Sequence, residues 1–216
     1  EERKLLVREV KKLTIDAVMN QEKILKEDLE ALKRLENCRE EIEKLLYQDV
    51  SIDRIIDSIL TLLKEIRTNG TPQFARQARL AFIARAFLRT LGYYTSENVD
   101  TFMQGISTVS SEFNDDFERF SEGLISREEF NFKYGHLRSG TYDIRSDRYD
   151  AMNFRPAPSR IKKDKVKIQK DLDISILTQA LEDTQLDVPA ERMAKFWISA
   201  IEQREYFKFE FTKSLS

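Results

Sequence analysis

The sequence predicts an all-α protein, an irregular multi-helix bundle with one long ordered loop. Three observations point there. Apolar residues recur three and four positions apart through most of the chain, the spacing that lines one face of a helix. Charged residues make up 34% and hydrophobic residues 41% of the 216, a balance suited to amphipathic helices with solvated outer faces. Helix start and stop signals also recur between the periodic stretches.

Residues 3 to about 20 place Leu6, Val10, Leu13 and Ala17 at helical spacing, and Leu25, Leu29, Leu32, Ile42 and Leu46 continue it from Glu22 to Tyr47. Dense Glu and Lys between them read as a solvated face on two charged helices, or one long one. Ser51 precedes a firm stripe of Ile52, Ile55, Ile56, Ile59, Leu63 and Ile66, which Asn69-Gly70 is expected to stop as a C-cap. Thr71-Pro72 opens the next helix, apolar on nearly every side through Leu91 and therefore expected to be central and buried. Its arginines, Arg76 with Arg79 and Arg85 with Arg89, fall on roughly opposite faces, so ion pairs are expected rather than a basic stripe.

From Ser96 to Ser121 a single helix is expected, with Phe102, Ile106, Val109, Phe113 and Phe117 on its core side. Ser126-Arg127-Glu128-Glu129 matches a capping box and starts a short helix through Lys133. After the loop that follows, Phe154-Arg155-Pro156-Ala157-Pro158 and the basic run to Lys170 read as a linker or mobile segment over 151–171. Ile174, Leu177 and Leu181 mark a short helix, and Met193, Phe196, Trp197, Ala200 and Ile201 mark the last. Between Tyr206 and Phe211 the aromatics alternate with Lys208 and Glu210, a pattern that fits a strand as well as a helix; helix is the expectation. The chain thus divides into charged N-terminal helices (1–48), a helical core ending in the loop (49–150), the linker, and C-terminal helices packing back on the core (172–216).

The loop, Tyr134 to Asp150, concentrates unusual residues. It holds the only histidine, His136, together with Gly135 and Gly140, three tyrosines, and Arg138, Arg145 and Arg148 among Asp143, Asp147 and Asp150. Glycines of this kind admit close approach of the backbone to something. The arginines can clamp an anion by forked hydrogen bonds, or pair with the aspartates to lock the loop. Both readings stay open, and the residues singled out for substrate binding or loop locking are His136, Arg138, Tyr142, Asp143 and Arg148.

Several function classes are excluded. A net charge of −2 and a pI near 5.7 give no basic excess for nucleic acid or a membrane surface. No stretch approaches the roughly 18 apolar residues of a membrane span. One cysteine, Cys38, and one histidine provide no thiolate or imidazole metal cluster, and a lone cysteine suits a reducing, cytoplasmic setting. No glycine-rich phosphate cradle and no Gly-x-Ser-x-Gly elbow is present. Nothing marks a serine as a nucleophile for His136, so no catalytic residue is assigned. The opening Glu1-Glu2-Arg3-Lys4 and the ordered pattern running to Ser216 lead us to expect an excerpt of a longer polypeptide.

Tyr134-Gly135-His136-Leu137-Arg138-Ser139-Gly140-Thr141-Tyr142-Asp143-Ile144, followed by Ser146-Asp147-Arg148-Tyr149-Asp150, resembles a segment of the phosphoenolpyruvate synthase and pyruvate phosphate dikinase-like phosphotransferases. Ser139 and Asp147 stand where that family has proline. The Pro72–Leu91 helix, Ser107-Thr108-Val109 and Arg204-Glu205-Tyr206-Phe207-Lys208-Phe209 are also similar to its all-helical region. The resemblance implies an ATP- or phosphoenolpyruvate-dependent phosphotransferase in which this part lies between an ATP-grasp domain and a phosphohistidine domain. It further implies ATP and Mg²⁺ for the parent protein, no cofactor in this fragment, and an acceptor small molecule of unknown identity. The fragment alone is then expected to be non-catalytic, contributing domain docking and acceptor contacts. His136 lacks the Thr/Ser-Gly-Gly-x-x-x-His context of the family's swivelling histidine. The alternative expectation is a helical partner-binding or oligomerisation module, a homodimer among the possibilities, with the charged N-terminal helices as its interface.

Overall fold

A computed structural model of the chain describes residues 2–90, 94–138, 143, 145–152 and 173–216. The described residues form helices, caps and turns, with one antiparallel backbone pairing between Arg138 and Arg148 and no named strand among them. The fold is all-α, as the periodicity predicts. No helix among the described residues is long and apolar enough to cross a membrane. Of the stretch read as a linker, 151–171, everything beyond Met152 lies outside the described residues.

Helices α1 (Glu2–Met19) and α2 (Gln21–Leu46) are separated by Asn20 alone. The Asn20 N–H donates to the Asp16 carbonyl and the Asn20 carbonyl accepts from Ile24, both at 3.0 Å, so the helical ladder runs on through the junction. Ser51 precedes α3 (Ile52–Glu65) in an extended conformation, without a side-chain cap bond.

The expected stop at Asn69-Gly70 does not occur. Ile66–Gly70 forms a π-helical turn, Thr71 keeps right-handed helical angles (φ −63°, ψ −44°), and the chain passes directly into α4 (Thr71–Thr90). Thr71 does not cap either; its hydroxyl donates to the Ile66 carbonyl at 3.0 Å. Gly70 supplies the physical reason for the glycine, because a Cβ there would lie 2.8 Å from the Phe211 ring and 3.0 Å from Leu35. The position needs absence of a side chain, not a left-handed backbone.

The single helix expected over 96–121 is two, α5 (Ser96–Gly105) and α6 (Val109–Ser121). Ile106 is extended (ψ 120°). Thr108 and Ser111 then cap α6 reciprocally: the Ser111 N–H donates to the Thr108 hydroxyl at 3.3 Å and the Thr108 N–H to the Ser111 hydroxyl at 2.8 Å. The reciprocal cap satisfies N–H groups at the new start. Helix α7 (Arg127–Tyr134) begins with the capping box read from the sequence, the Ser126 N–H donating to Glu129 at 2.7 Å and the Glu129 N–H to Ser126 at 3.1 Å. Asp173 caps α8 (Ile174–Thr184), which ends on Gln185 in the left-handed region (φ 53°). Helix α9 (Ala190–Lys213) includes Tyr206–Phe211, so the alternating aromatics are helical.

The residues group into two compact units, one drawn from Glu1–Glu30, Ala75–Ile106 and Lys167–Arg204, the other from Ala31–Phe74, Ser107–Val166 and Glu205–Ser216. In the first, Met193, Phe196 and Trp197 of α9 pack among Leu80, Ala84 and Leu88 of α4, Val18 of α1, Phe102 of α5 and Leu177 of α8. Full burial of such side chains is worth about 1.5–3 kcal/mol each. Asp28 is completely buried there, its carboxylate bonded by the Arg76 guanidinium and, at 2.8 Å, by the Gln77 amide. Arg89 pairs with Asp100 at 3.6 Å. These are the ion pairs expected of α4, but the expectation of burial on nearly every side fails: Phe82 is 72% exposed. The second unit buries Leu35, Phe130, Tyr134, Phe207 and Phe211, and it carries the loop.

Candidate functional site

The site is built where α7 ends. Its last residue, Tyr134, is fully buried against Phe113 (rings edge-on, centroids 5.0 Å apart) and Phe130 (5.1 Å), and its hydroxyl donates to Asp116 of α6 at 2.8 Å. Lys133 joins the same carboxylate at 3.0 Å and Glu112 at 3.3 Å. Burial works to raise the Asp116 carboxyl, but the bonds from Lys133 and Tyr134 prevail and hold it below the usual range. Burial pushes the Tyr134 phenol up, so it stays a protonated donor.

Gly135 follows with ordinary helical angles (φ −57°). A Cβ there would run into the Asn131 carbonyl oxygen and lie 2.9 Å from the Asp150 Cβ. Here the close approach that a glycine allows is to the far limb of the loop itself. That limb returns alongside: the Tyr149 N–H donates to the Leu137 carbonyl at 2.9 Å and the Asp150 N–H to the Gly135 carbonyl at 3.2 Å, with Arg138 facing Arg148.

Side chains then fasten the limbs. Arg148 forks onto Asp150 at 3.1 and 2.5 Å and reaches the Ser216 carbonyl at 3.3 Å, while the Ser216 hydroxyl donates to the His136 carbonyl at 2.8 Å. Arg138 donates to the Ser146 carbonyl. Asp143 holds Arg145 by its Nε at 3.0 Å and its Nη2 at 3.2 Å. These bonds keep the Asp143 carboxyl below the usual range, with a smaller contribution from the Arg138 charge. Tyr142 lies outside the described residues.

His136 is turned inward. Its ring stands edge-on to Phe209 of α9, centroids 4.7 Å apart, and hydrogen-bonds to the Phe209 carbonyl, while Nε2 is buried without a partner. Burial, followed by the positive charges of Lys213 and Arg148, lowers its pKa to about 4. At neutral pH it is an uncharged imidazole, poorly matched to general base work at that pH and unable to add charge to an anion site.

Beside the loop lies a cavity of about 280 Å³. Arg138, Leu137 and Tyr149 of the loop form one wall, Val109, Ser110, Phe113 and Asn114 of α6 a second, and Glu205, Lys208, Phe209 and Thr212 of α9 a third, with Tyr134 completing the lining. The Ser110 hydroxyl donates to Glu205 at 3.0 Å. An apolar aromatic lining with a few convergent polar groups is the usual make-up of a small-molecule site. Two cationic side chains, Arg138 and Lys208, against one carboxylate, Glu205, together with hydroxyl and amide groups suit a small ligand bearing a carboxylate or phosphate and a second polar function that donates a hydrogen bond.

Of the residues singled out from the sequence, Arg138 lines this cavity, while Asp143 and Arg148 fasten the loop and His136 packs against Phe209. Lys208, Glu205, Ser110, Asn114 and Thr212 were not anticipated. A signal existed for α9, since Glu205, Lys208, Phe209 and Thr212 stand at i, i+3, i+4 and i+7 and so share one face. No group of three or more His, Cys, Asp or Glu side chains placed to hold a metal ion occurs among the described residues. Compared with known protein families, curated proteins and solved structures, the chain matches none.

Proposed function

We propose that this chain is the helical intermediate region of a phosphoenolpyruvate synthase-like phosphotransferase, and that it contributes acceptor contacts through the cavity beside the Tyr134–Asp150 loop. ATP, Mg²⁺ and the phosphoryl-carrying histidine belong in this reading to flanking domains of the same polypeptide. One observation supports the reading: a loop whose Gly-His-Leu-Arg sequence resembles that of the family is fastened by its own hydrogen bonds and ion pairs with Arg138 in one wall of a cavity whose α9 wall carries Lys208. A loop fixed in this way orders its cation before the ligand arrives, which reduces the entropic cost of binding.

The test is calorimetric titration of the chain with pyruvate, phosphoenolpyruvate and inorganic phosphate as separate probes, alongside an ATP turnover assay. We expect millimolar binding of at least one probe and a loss of tenfold or more in Lys208→Ala. Asn114→Ala should weaken the same probe while leaving the thermal midpoint in place. Measurable ATP turnover by the chain alone would overturn the non-catalytic assignment. No binding of any probe, or binding untouched by both variants, would overturn the acceptor site.

A further inference from the structure

Helix α3 is the most amphipathic of the described helices, yet none of its residues is buried. Ile55, Leu62 and Ile66 are half-buried along one side. On the adjoining side Ile52 is 74% exposed, Ile56 47%, Ile59 42%, Leu60 57% and Leu63 53%. At 100° per residue these five span only about a quarter to a third of the helix circumference. Ile52, Ile56, Ile59 and Leu63 repeat at alternating steps of four and three, the seam along which two helices interlock knobs into holes.

We propose that this face is the interface of a homodimer in which α3 pairs antiparallel with α3 of a second copy about a two-fold axis near Leu60. This inference is independent of the phosphotransferase reading. Two arguments select the occupant and its direction. The first is charge. Asp53, Leu60 and Arg67 are spaced by seven along one flank of the seam, Asp53 in the first turn of α3 and Arg67 in the π-helical turn that continues it, and both charged residues are exposed. In an antiparallel pair such a flank meets its own copy reversed. Leu60 then faces Leu60, Asp53 faces Arg67 of the second copy, and each ion pair occurs twice. The interior layers set Ile59 against Leu63. A parallel pair would instead leave Asp53 and Arg67 fourteen positions apart, out of reach of each other, and align the two helix dipoles.

The second argument is area. The exposed parts of the five side chains amount to roughly 500 Å² per copy, which fits the apolar centre of the roughly 800 Å² per partner that a standard interface buries.

The test uses the full chain. Sedimentation equilibrium from about 1 to 100 µM should show mass rising from 25.4 kDa toward twice that value. Leu60→Asp should raise the dissociation constant at least tenfold. Leu60 is exposed in the single chain, so the helix content by circular dichroism should stay unchanged. Asp53→Arg alone should weaken the dimer and Asp53→Arg with Arg67→Asp should restore it. In a Cys38→Ser background, Leu60→Cys should oxidise to a covalent dimer. Ile52→Cys should not, because eight residues from the axis on each helix separate the two thiols by roughly 24 Å along the seam. A monomer at every concentration, a dimer indifferent to Leu60→Asp, or cross-linking at Ile52 instead of Leu60 would each overturn the proposal.

Discussion

The sole histidine allows one electrostatic expectation to be tested without ambiguity. His136 titrates at about 4 in the folded chain against an ordinary value of 6.5, chiefly because the ring is buried and secondarily because Lys213 and Arg148 repel a second positive charge. The sign follows from which state takes the proton. Below pH 6.5 the unfolded chain protonates its imidazole while the folded chain does not, so stability is full above 6.5 and falls as pH drops toward 4, after which this contribution levels off. At pH 5 the linkage relation gives about 2 kcal/mol, which we reduce to about 1 kcal/mol because the ring retains some exposure to screening solvent. For a chain of this length that is a fall in thermal midpoint of roughly 2–4 °C.

The assay is urea unfolding at pH 7, 6 and 5 for the wild-type chain and His136→Phe. The variant's absolute stability is immaterial; its decline from pH 7 to 5 should be shallower by about 1 kcal/mol. Depressed carboxylates such as Asp116 and Asp143 are present in both proteins and cancel in the difference. Because there is one histidine, its Cε1–H resonance followed against pH reports the same quantity directly. Parallel stability curves, or an imidazole midpoint near 6.5, would refute the assigned burial of His136.

Three further outcomes follow from the packing. Arg76→Ala should cost about 3–5 kcal/mol because it strips the main partner from a wholly buried carboxylate, whereas Asp28→Asn, which leaves the partly exposed Arg76 open to water, should cost about 1–3; chemical denaturation of both variants checks the order. Gln73 is fully buried with neither amide atom bonded, so Gln73→Met should raise stability by about 1 kcal/mol, seen as a higher thermal midpoint. Gly135→Ala should cost about 2–4 kcal/mol by collision with Asn131 and Asp150, while Gly123→Ala, with φ +73° but open space around it, should cost only about 1; reversal of that order in unfolding experiments would contradict the account of the loop.

Helix identity was legible wherever the signal was local. The Ser126–Glu129 capping box involves residues three apart and is legible in the sequence, and Arg148 with Asp150 and Arg145 with Asp143 are neighbours in sequence. The break between α5 and α6 was missed because Phe102, Ile106, Val109 and Phe113 keep helical spacing across it; Ile106 belongs to one compact unit and Phe113 to the other. The continuation of the helix through Gly70 has a different cause. A glycine after an asparagine reads as a helix stop, but what requires a glycine here is the room taken by the ring of Phe211, a residue no local pattern associates with it. The same holds for the fastening of the loop by Ser216, which reaches Arg148 from 68 positions away and His136 from 80.

The alternating aromatics of α9 show how one segment can carry a strand pattern and still be a helix. Phe207, Phe209 and Phe211 are two residues apart, a period that on a strand would place all three on one face. On a helix, Phe207 and Phe211 are four apart and share a side, and both are buried, Phe211 stacking on Phe74 with centroids 5.4 Å apart. Phe209 falls about 160° away from either, where it meets His136 and Tyr134 and lines the cavity. The apparent alternation therefore arises from two separate demands on one helix. One side of it fills the core, and the other holds the imidazole of the loop and faces the site. Lys208 and Thr212 stand one and three positions from Phe209 on that cavity side. A substitution that disturbs the seating of Phe209 should thus displace the loop and the cavity lining together.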